Sequence, residues 1–244
     1  MNSNPVVQVD CFKRAKAFYT KRIGGVSKAP FDSLNLGDHV GDELSCVRAN
    51  RSMVADALGN EVVYMHQIHS DLVRMVRSAD ERFDDCDALV TDVKGLPLAV
   101  MTADCLPLLL ASEDGAVCAA VHCGWRGLAA EVVGHTLRVM RTISDAPIEA
   151  FIGPHIRKHS FEVGPDVYDA FVSQCAGAAK YFESGVGDRY WCSLSDLVSL
   201  ALRRADPHIS SISDCGLDTY SDKDNFFSYR RDHDTGRMAS IIML

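Results

Sequence analysis

The chain has 244 residues, of which 47% are hydrophobic and 24% are charged, a composition typical of a folded globular protein. Its formal net charge of −8 argues against a dedicated nucleic-acid binder, because such proteins gain most of their affinity from lysines and arginines that neutralise phosphates. Its most apolar stretch is too short and too interrupted to cross a bilayer, so we expect no membrane span and a cytoplasmic location.

The first part of the chain predicts a strand, a long loop and a helix. The strand is expected at residues 18–22. The next residues, 23–42, are rich in Gly, Ser, Asp and Asn, as ordered loops are, and loops of this length usually have a function. The helix is expected over residues 43–58, with apolar residues on one face and Gly59 at its end.

The middle of the chain predicts short strands, a hairpin and a helix. Strands or strand-like apolar runs are expected at 62–66, 72–76, 88–91, 99–111 and 116–122. The last two runs are separated by SEDG, a turn-forming sequence that favours a hairpin. The helix is expected over 128–142, where apolar residues recur at i, i+3 and i+4.

The last third predicts two further helices and two strands. One helix opens on Pro165 and the other on Ser193, and the strands are expected at 226–229 and 238–242. Helices and strands are interspersed, and neighbouring strands often form hairpins. The sequence therefore predicts an α+β fold in which residues 1–244 form a single domain, with a mixed, largely antiparallel sheet core flanked by layers of helices.

The predicted hairpin brings a cysteine and a histidine together. If Glu113 and Asp114 form the centre of the turn, antiparallel partners have residue numbers that sum to 227, as Cys105 and His122 do. The two side chains then share one face of the sheet, with Cβ atoms about 4.5–5.5 Å apart. A thiolate and an imidazole at that separation can bind one metal ion, although a one-residue slip would separate them.

A third metal ligand is expected from His66 or His69 in MHQIHSDLV, and the spacing alone does not choose between them. A set of His, Cys and His leaves one position of a zinc ion open for water, which is typical of a catalytic site. Two other interpretations remain open at this point. Cys105 can be an ordinary core thiol, as most of the nine cysteines are expected to be, or a nucleophile with His122 as its base.

Five motifs follow one another along the chain: QIHSDLV, TADCLPLLL, VHCGWRGLAAEVV, IGPHIRKHSFEVG and FFSYRRDHDTGRMASII. Together they resemble the laccase-domain family over residues 31–244. Members of that family were once called multicopper polyphenol oxidases and were later recognised as purine nucleoside phosphorylases with adenosine deaminase activity. The resemblance implies a zinc-dependent enzyme that acts on a purine nucleoside and phosphate, as a monomer or a homodimer.

The resemblance also implies roles for individual residues. It places the third ligand at His69, so that His69, Cys105 and His122 hold one zinc ion per chain and form the catalytic site. The family's Leu-Asn-Leu-Gly and Asn-Arg patterns make Asn35 and Arg51 candidate substrate-binding residues. Phe161 stands where the family usually has a tyrosine, and Gly216 where it has a threonine after a cysteine, which puts substrate preference in question.

Phosphorolysis needs a place for phosphate. Arg126 is the candidate, beside a helix expected to start after Gly127, where free amide donors favour anions. Arg230 and Arg231 are competitors, of which one at most can point inward from a strand. A bound zinc ion would supply Lewis-acid chemistry and a water with a pKa near 7, which suits deamination.

The remaining polar and aromatic candidates near the motifs have open roles. Asp104 is a weak candidate for orienting a ligand or for general base catalysis. His155 is expected to be solvated, and Trp125 either stacks on the purine or packs against the protein.

Three rival functions are weighed. A multicopper oxidase needs His-x-His pairs, which the nine histidines do not form, although copper can substitute for zinc at the same three ligands. A thiol hydrolase would use Cys105 and His122 on an amide or a cell-wall precursor. A non-enzymatic binding protein would hold a structural zinc.

Overall fold

The structure is a computed structural model that describes residues 5–81 and 84–244. Its strands, in chain order, are β1 (Val6–Val9), β2 (Lys16–Thr20), β3 (Val63–Tyr64), β4 (Val73–Met75), β5 (Ala88–Thr91), β6 (Leu98–Thr102), β7 (Leu106–Ser112), β8 (Cys118–Cys123), β9 (Ile148–Ile152), β10 (Glu162–Val163), β11 (Phe182–Ser184), β12 (Tyr190–Cys192), β13 (Ile209–Asp214) and β14 (Met238–Met243). Its α-helices are α1 (Leu44–Leu58), α2 (Trp125–Ala129), α3 (Val132–Arg141), α4 (Pro165–Val172), α5 (Leu194–Ala205) and α6 (Tyr229–Asp232).

Two large mixed sheets form the centre of the fold. One has the order β1-β2-β14-β6-β3, the other β13-β9-β7-β8-β5-β4, and a small third sheet has the order β10-β12-β11. Most neighbouring strands are antiparallel, whereas β13 with β9, β3 with β6 and β4 with β5 are parallel. This arrangement confirms the predicted α+β fold with a mixed, largely antiparallel core.

The layers follow from the alternation of side chains along each strand. In β7, Leu108 and Leu110 face a core shared with α3, α4 and α5, whereas Leu109 faces Leu98 and Ile242 of the other large sheet. The far side of that second sheet is covered by a third core, to which α1 contributes. Because both faces of β5 to β8 are covered, these strands are continuous apolar runs and not alternating ones.

Several predicted elements differ from the structure. The helix expected over 128–142 is divided into α2 and α3 at Glu131, which has a φ of +68°. The apolar run 99–111 is divided into β6 and β7, in different sheets, by a turn in which Asp104 has a φ of +92°. The strand expected at 226–229 is wrong, because Ser228 instead caps α6 by accepting a hydrogen bond from the Arg231 main-chain N–H.

The predicted hairpin exists, but its register is wrong by two residues. Pro107 pairs with His122 and Leu106 with Cys123, so partner numbers sum to 229 and not 227. The reason is a four-residue turn that includes Gly115 at a φ of +71°, closed by a hydrogen bond from the Ser112 N–H to the Val117 carbonyl. A shift of two residues keeps side chains on the same face. It places Cys105 just before β7 begins.

Within the parts of the chain that the structure describes, no helix has the length and the apolar character needed to cross a membrane.

Candidate metal centre

Three side chains from separate segments meet at one end of the six-stranded sheet. His122 lies on β8, Cys105 directly precedes β7, and His69 lies in the loop between β3 and β4 with a φ of +62°. Their ligand atoms are all within 4.8 Å of one another. The Cys105 Sγ is 3.9 Å from the His69 Nε2, and the two imidazole rings meet edge to face with centroids 4.8 Å apart.

The chemistry of these donors fits a divalent metal ion. Burial alone would raise the pKa of Cys105, but His122 and His69 lower it to about 6, so the thiolate that binds metals is the form at neutral pH. Two nitrogen donors and one sulfur donor suit zinc or copper and leave a fourth position open. His69 is exposed, Cys105 half-buried and His122 buried, so the group opens towards solvent on one side.

A buried carboxylate, Asp87, orients two of the three side chains. Its Oδ1 accepts hydrogen bonds from the His122 Nδ1 at 2.7 Å and from the His69 main-chain N–H at 3.0 Å. Its Oδ2 accepts from the Ser70 N–H at 2.6 Å and from the Ser70 hydroxyl at 2.7 Å. Burial would raise the pKa of Asp87, but the hydrogen bonds from His122 and Ser70 lower it to about 2.

The geometry at Asp87 fixes the chemistry of His122. Because Nδ1 is engaged by the carboxylate, Nε2 is the nitrogen left to bind a metal, an arrangement common among metal-ligating histidines. The sequence analysis missed Asp87. The one signal was an aspartate directly before a predicted strand, and no motif linked it to a histidine 35 residues further along the chain.

A pocket of about 520 Å³ opens from the metal-ligand group, a volume typical of small-molecule sites. Its other walls come from loops and short elements that surround the sheet end. Besides the three ligands, the polar and aromatic side chains that line it are His39, Gln67, Thr102, Asp104, Trp125, Arg126, Phe161, Tyr229, Arg230 and Arg237.

The three predicted substrate-binding residues differ in their relation to this pocket. Arg126 lines it, exposed, with its guanidinium 4.4 Å from the centre of the Trp125 ring. Asn35 and Arg51 are not part of its lining. The Asn35 amide bonds to neighbouring loop groups, and the Arg51 guanidinium bonds to the Leu36 carbonyl and to Asp38. Both residues therefore stabilise the conformation of the loop at 23–42.

The helix expected to start after Gly127 begins instead at Trp125, with Gly124 as its N-cap. Gly127 is therefore the third residue of the helix, and its N–H is still one of those that have no partner within the helix. Arg230 and Arg231 lie on α6 and not on a strand. Arg230 lines the pocket, whereas Arg231 donates to the carbonyls of Thr219 and Phe226 and faces away from it.

Asp104 bonds to the segment between β13 and β14 and does not orient a metal ligand. Its carboxylate accepts hydrogen bonds from the Thr219 hydroxyl at 2.7 Å, the Ser228 hydroxyl at 2.9 Å and the Arg230 main-chain N–H at 2.6 Å. Burial raises the pKa of Asp104, and these hydrogen bonds offset part of that effect. The residue therefore fixes where α6 lies against the pocket.

Two other histidines lie apart from the metal-ligand group. His155 was expected to be solvated, and this is wrong, since the residue is 1% exposed and donates from Nδ1 to the Gly153 carbonyl at 2.8 Å. Burial lowers the pKa of His155 to about 4. His66, the other candidate ligand, is exposed and pairs with Asp85 at 2.8 Å.

Comparison with known proteins gives a consistent result. A family model described as "Multi-copper polyphenol oxidoreductase laccase" matches residues 16–244. The chain is 41% identical over 227 residues to a purine nucleoside phosphorylase of Xylella fastidiosa, covering 89% of this chain and 87% of that protein. It is 40% identical over 237 residues to the purine nucleoside phosphorylase YfiH of Escherichia coli, covering 95% of each.

Solved structures agree with the sequence relatives. A Neisseria meningitidis protein superposes with a TM-score of 0.92 at 41% identity, covering 99% of both chains. The protein YlmD of Geobacillus stearothermophilus superposes with a TM-score of 0.89 at 29% identity, covering 100% of this chain and 97% of that one.

Proposed function

Because this chain belongs to the multi-copper polyphenol oxidoreductase laccase family, we propose that it is a zinc-dependent purine nucleoside phosphorylase. In that reaction the bond between C1′ of ribose and the purine nitrogen breaks, and a bond between C1′ and a phosphate oxygen forms. The base leaves with the electron pair and takes up a proton. The observation that carries the proposal is the His69, Cys105 and His122 group at the base of a nucleoside-sized pocket.

Each part of the pocket has a proposed task. His69, Cys105 and His122 hold the zinc ion, and Asp87 keeps His122 in the tautomer that leaves Nε2 free. When bound, zinc supplies Lewis-acid chemistry to the site. Trp125 and Phe161 offer aromatic faces to a purine, and the arginines on the pocket wall offer positive charge to phosphate.

The same site supports a side activity, deamination of adenosine, which needs an activated water beside C6 of the base. Copper at the same three donors is a substitute that their chemistry allows. Multicopper oxidation has less support. Residues 5–81 and 84–244 hold a single group of three or more metal-binding side chains, whereas a trinuclear copper cluster needs many more histidines.

A thiol hydrolase is the second candidate, because the lowered pKa of Cys105, about 6, beside His122 is also what a cysteine nucleophile needs. Metal analysis separates the two candidates. The phosphorylase proposal expects one zinc ion per chain, loss of activity with a chelator and recovery with added zinc. Activity that persists in the chelator would favour the thiol nucleophile.

The direct test is to incubate the protein with inosine or adenosine, with and without phosphate, and to follow the free base by chromatography. We expect phosphate-dependent release by the wild type and a loss of at least about 100-fold in Cys105→Ala. Cys118→Ala is the matched control, since Cys118 is a buried cysteine at the far end of the same hairpin. Undiminished release by Cys105→Ala, or no release by the wild type, would refute the proposal.

A further inference from the structure

Arginines outnumber carboxylates in the lining of the pocket. Three arginines line it, namely Arg126, Arg230 and Arg237, and none forms an ion pair with any residue in 5–81 or 84–244. Arginines elsewhere are often paired, as Arg141 is with Asp206 at 2.6 Å. In a chain of net charge −8, an unpaired cluster of arginines around a pocket indicates an anionic ligand.

The carboxylate in the pocket lining offsets only part of this positive charge, since Asp104 and the Cys105 thiolate both attract Arg237 electrostatically. Asp104 is 7% exposed, and its oxygens accept hydrogen bonds from two hydroxyl groups and one main-chain N–H. These neutral donors leave the charge of Asp104 in place but occupy its oxygens, so within the described residues it forms no ion pair with a pocket arginine. The guanidinium groups on the same wall keep donors that no described carboxylate accepts.

Arg237 is the most firmly held of the three arginines. Its main-chain N–H donates to the Asn35 Oδ1 at 2.9 Å, and its Nη1 donates to the carbonyls of Thr235 at 2.9 Å and Gly236 at 3.0 Å. A Cβ atom at Gly37 would lie 2.8 Å from the Arg237 Cγ, so the loop needs glycine there to let the arginine pass. The long loop at 23–42 thus positions Arg237.

The remaining donors of Arg237 are free to bind a ligand. Within the described parts of the chain, no acceptor bonds to its Nε or Nη2, and these two atoms form one edge of the guanidinium fork. Such an edge matches two oxygens of a phosphate group. The side chain is half-buried, and burial lowers the pKa of its guanidinium. An anion in the pocket would relieve this cost of burying a charge.

Arg230 provides a second charge on the same wall. Its Nη1 donates to the Glu162 carbonyl at 2.9 Å, and its guanidinium lies 5.2 Å from the centre of the Phe161 ring. Arg126 and Arg230 are both exposed and both lie over an aromatic ring, but within the described residues only Arg230 adds a side-chain hydrogen bond to that contact. The pair formed by Arg230 and Arg237 is therefore better fixed for anion binding than Arg126, the residue that the sequence analysis favoured.

We infer that Arg237, assisted by Arg230, forms the phosphate subsite of the pocket, and that Asn35 and Gly37 act as positioning residues for Arg237. The inference rests on the proposed function for the identity of the anion, which is inorganic phosphate as co-substrate. It assigns a task to the Leu-Asn-Leu-Gly segment that does not require Asn35 to touch the substrate.

The kinetic test uses the zinc-loaded protein and the variant Arg237→Gln, which removes the charge and keeps most of the length. We expect the KM for phosphate to rise at least about tenfold, while the KM for inosine changes less than about twofold and the zinc content stays the same. Arg203→Gln, an exposed arginine on α5 outside the pocket, is the control with the same change in charge. An unchanged KM for phosphate, or equal rises for both substrates, would overturn the inference.

A binding test keeps this inference separate from the proposed reaction. Isothermal titration of the wild type and of Arg237→Gln with inorganic phosphate should show binding that the variant weakens at least about tenfold. That result would support the subsite even if the wild type released no base, in which case the proposed reaction alone fails. Absence of phosphate binding by the wild type would overturn the subsite.

A second titration arm uses inosine 5′-monophosphate, because its phosphate ester offers the same oxygens. Binding of the nucleotide alone, lost in Arg237→Gln, would overturn the assignment to the co-substrate. Arg237→Lys guards against a folding defect in the glutamine variant. It keeps the charge without the planar fork, so its phosphate affinity should fall between those of the wild type and Arg237→Gln.

Discussion

The two sides of the pocket are built differently. On the metal side, His122 lies on a central strand, and Cys105 and Asp87 directly precede strands of the same buried sheet. On the other side, called here the loop side, Arg230 and Arg237 lie on the segment between β13 and β14, whose α-helix, α6, has four residues. On the first side, strand ladders fix His122 and Asp87, and Asp87 in turn holds the loop that carries His69. On the second side, side-chain hydrogen bonds to Asp104 and Asn35 hold the segment.

This difference indicates separate roles for the two sides, metal binding for one and substrate selection for the other. A sheet end holds ligand atoms with the small tolerance that a metal site requires. A loop wall held by individual hydrogen bonds can change its residues without disturbing the sheet. We therefore expect substitutions on the metal side to weaken metal binding strongly, and substitutions on the loop side to change stability or substrate preference by smaller amounts.

Apart from the three ligands themselves, the largest effect is expected at Asp87, which joins the two histidines. Asp87→Asn replaces one carboxylate oxygen by an NH2 group, which donates hydrogen bonds and does not accept them. The side chain can then no longer accept from both His122 and Ser70. Zinc affinity should fall about 10–100-fold, as is usual when a residue that orients a ligand is changed. A competitive chelator titration measures the affinity.

The neighbouring Asp85→Asn is the matched control for this change, since Asp85 is exposed and pairs with the surface residue His66. Its zinc affinity should equal that of the wild type. Equal zinc affinity in both variants would mean that the sheet end alone positions the ligands, without help from the carboxylate. Recovery by added zinc of the activity lost in Asp87→Asn would further separate metal binding from a general folding defect.

A smaller effect, on protein stability, is expected at His155, whose main chain bonds to Leu217 and Thr219 in the segment that carries the loop side. The folded-state pKa of His155, about 4, lies below the ordinary value of 6.5, so the unfolded chain binds the proton more readily. Stability is therefore full above about pH 6.5 and is lost as the pH falls towards 4. The contribution lost between pH 7 and pH 5 is on the order of 1–2 kcal/mol.

Urea denaturation at pH 7 and pH 5 measures this loss. In His155→Gln, the free energy of unfolding should depend less on pH over that interval, although the variant should be less stable at pH 7. His208→Gln provides the control, because His208 is 71% exposed. The same pH dependence in His155→Gln and the wild type would show that other groups carry the effect.

Much of the metal side could be predicted from the sequence, because its signals are local. The turn-forming SEDG between two apolar runs is enough to predict the hairpin, and a register error of two residues leaves Cys105 and His122 on the same face. The spacing of the two histidines could not decide between His69 and His66, and the choice of His69 came from the family resemblance. The structure places His69, and not His66, beside Cys105.

The loop side could not be predicted in this way, because its contacts join distant parts of the chain. Asn35 and Arg237 are 202 residues apart, and Asp104 and Arg230 are 126 residues apart. No periodicity or turn rule connects such pairs. Strands such as β9 and β13 were missed for a related reason, since their parallel pairing depends on partners about 60 residues apart in the chain.

The smallest predicted effect concerns Phe161, which lines the pocket and stands where the family resemblance leads us to expect a tyrosine. Phe161→Tyr adds a hydroxyl group at a half-buried position, so the free energy of unfolding should change by less than about 0.5 kcal/mol. The ratio of kcat/KM between adenosine and inosine should shift about two- to fivefold, because the hydroxyl can bond to one base and not equally to the other. Phe12→Tyr, which adds the same group outside the pocket, should leave the ratio unchanged. A change of 100-fold or more would show that the loop side controls the reaction as strongly as the metal side, which contradicts the division between them.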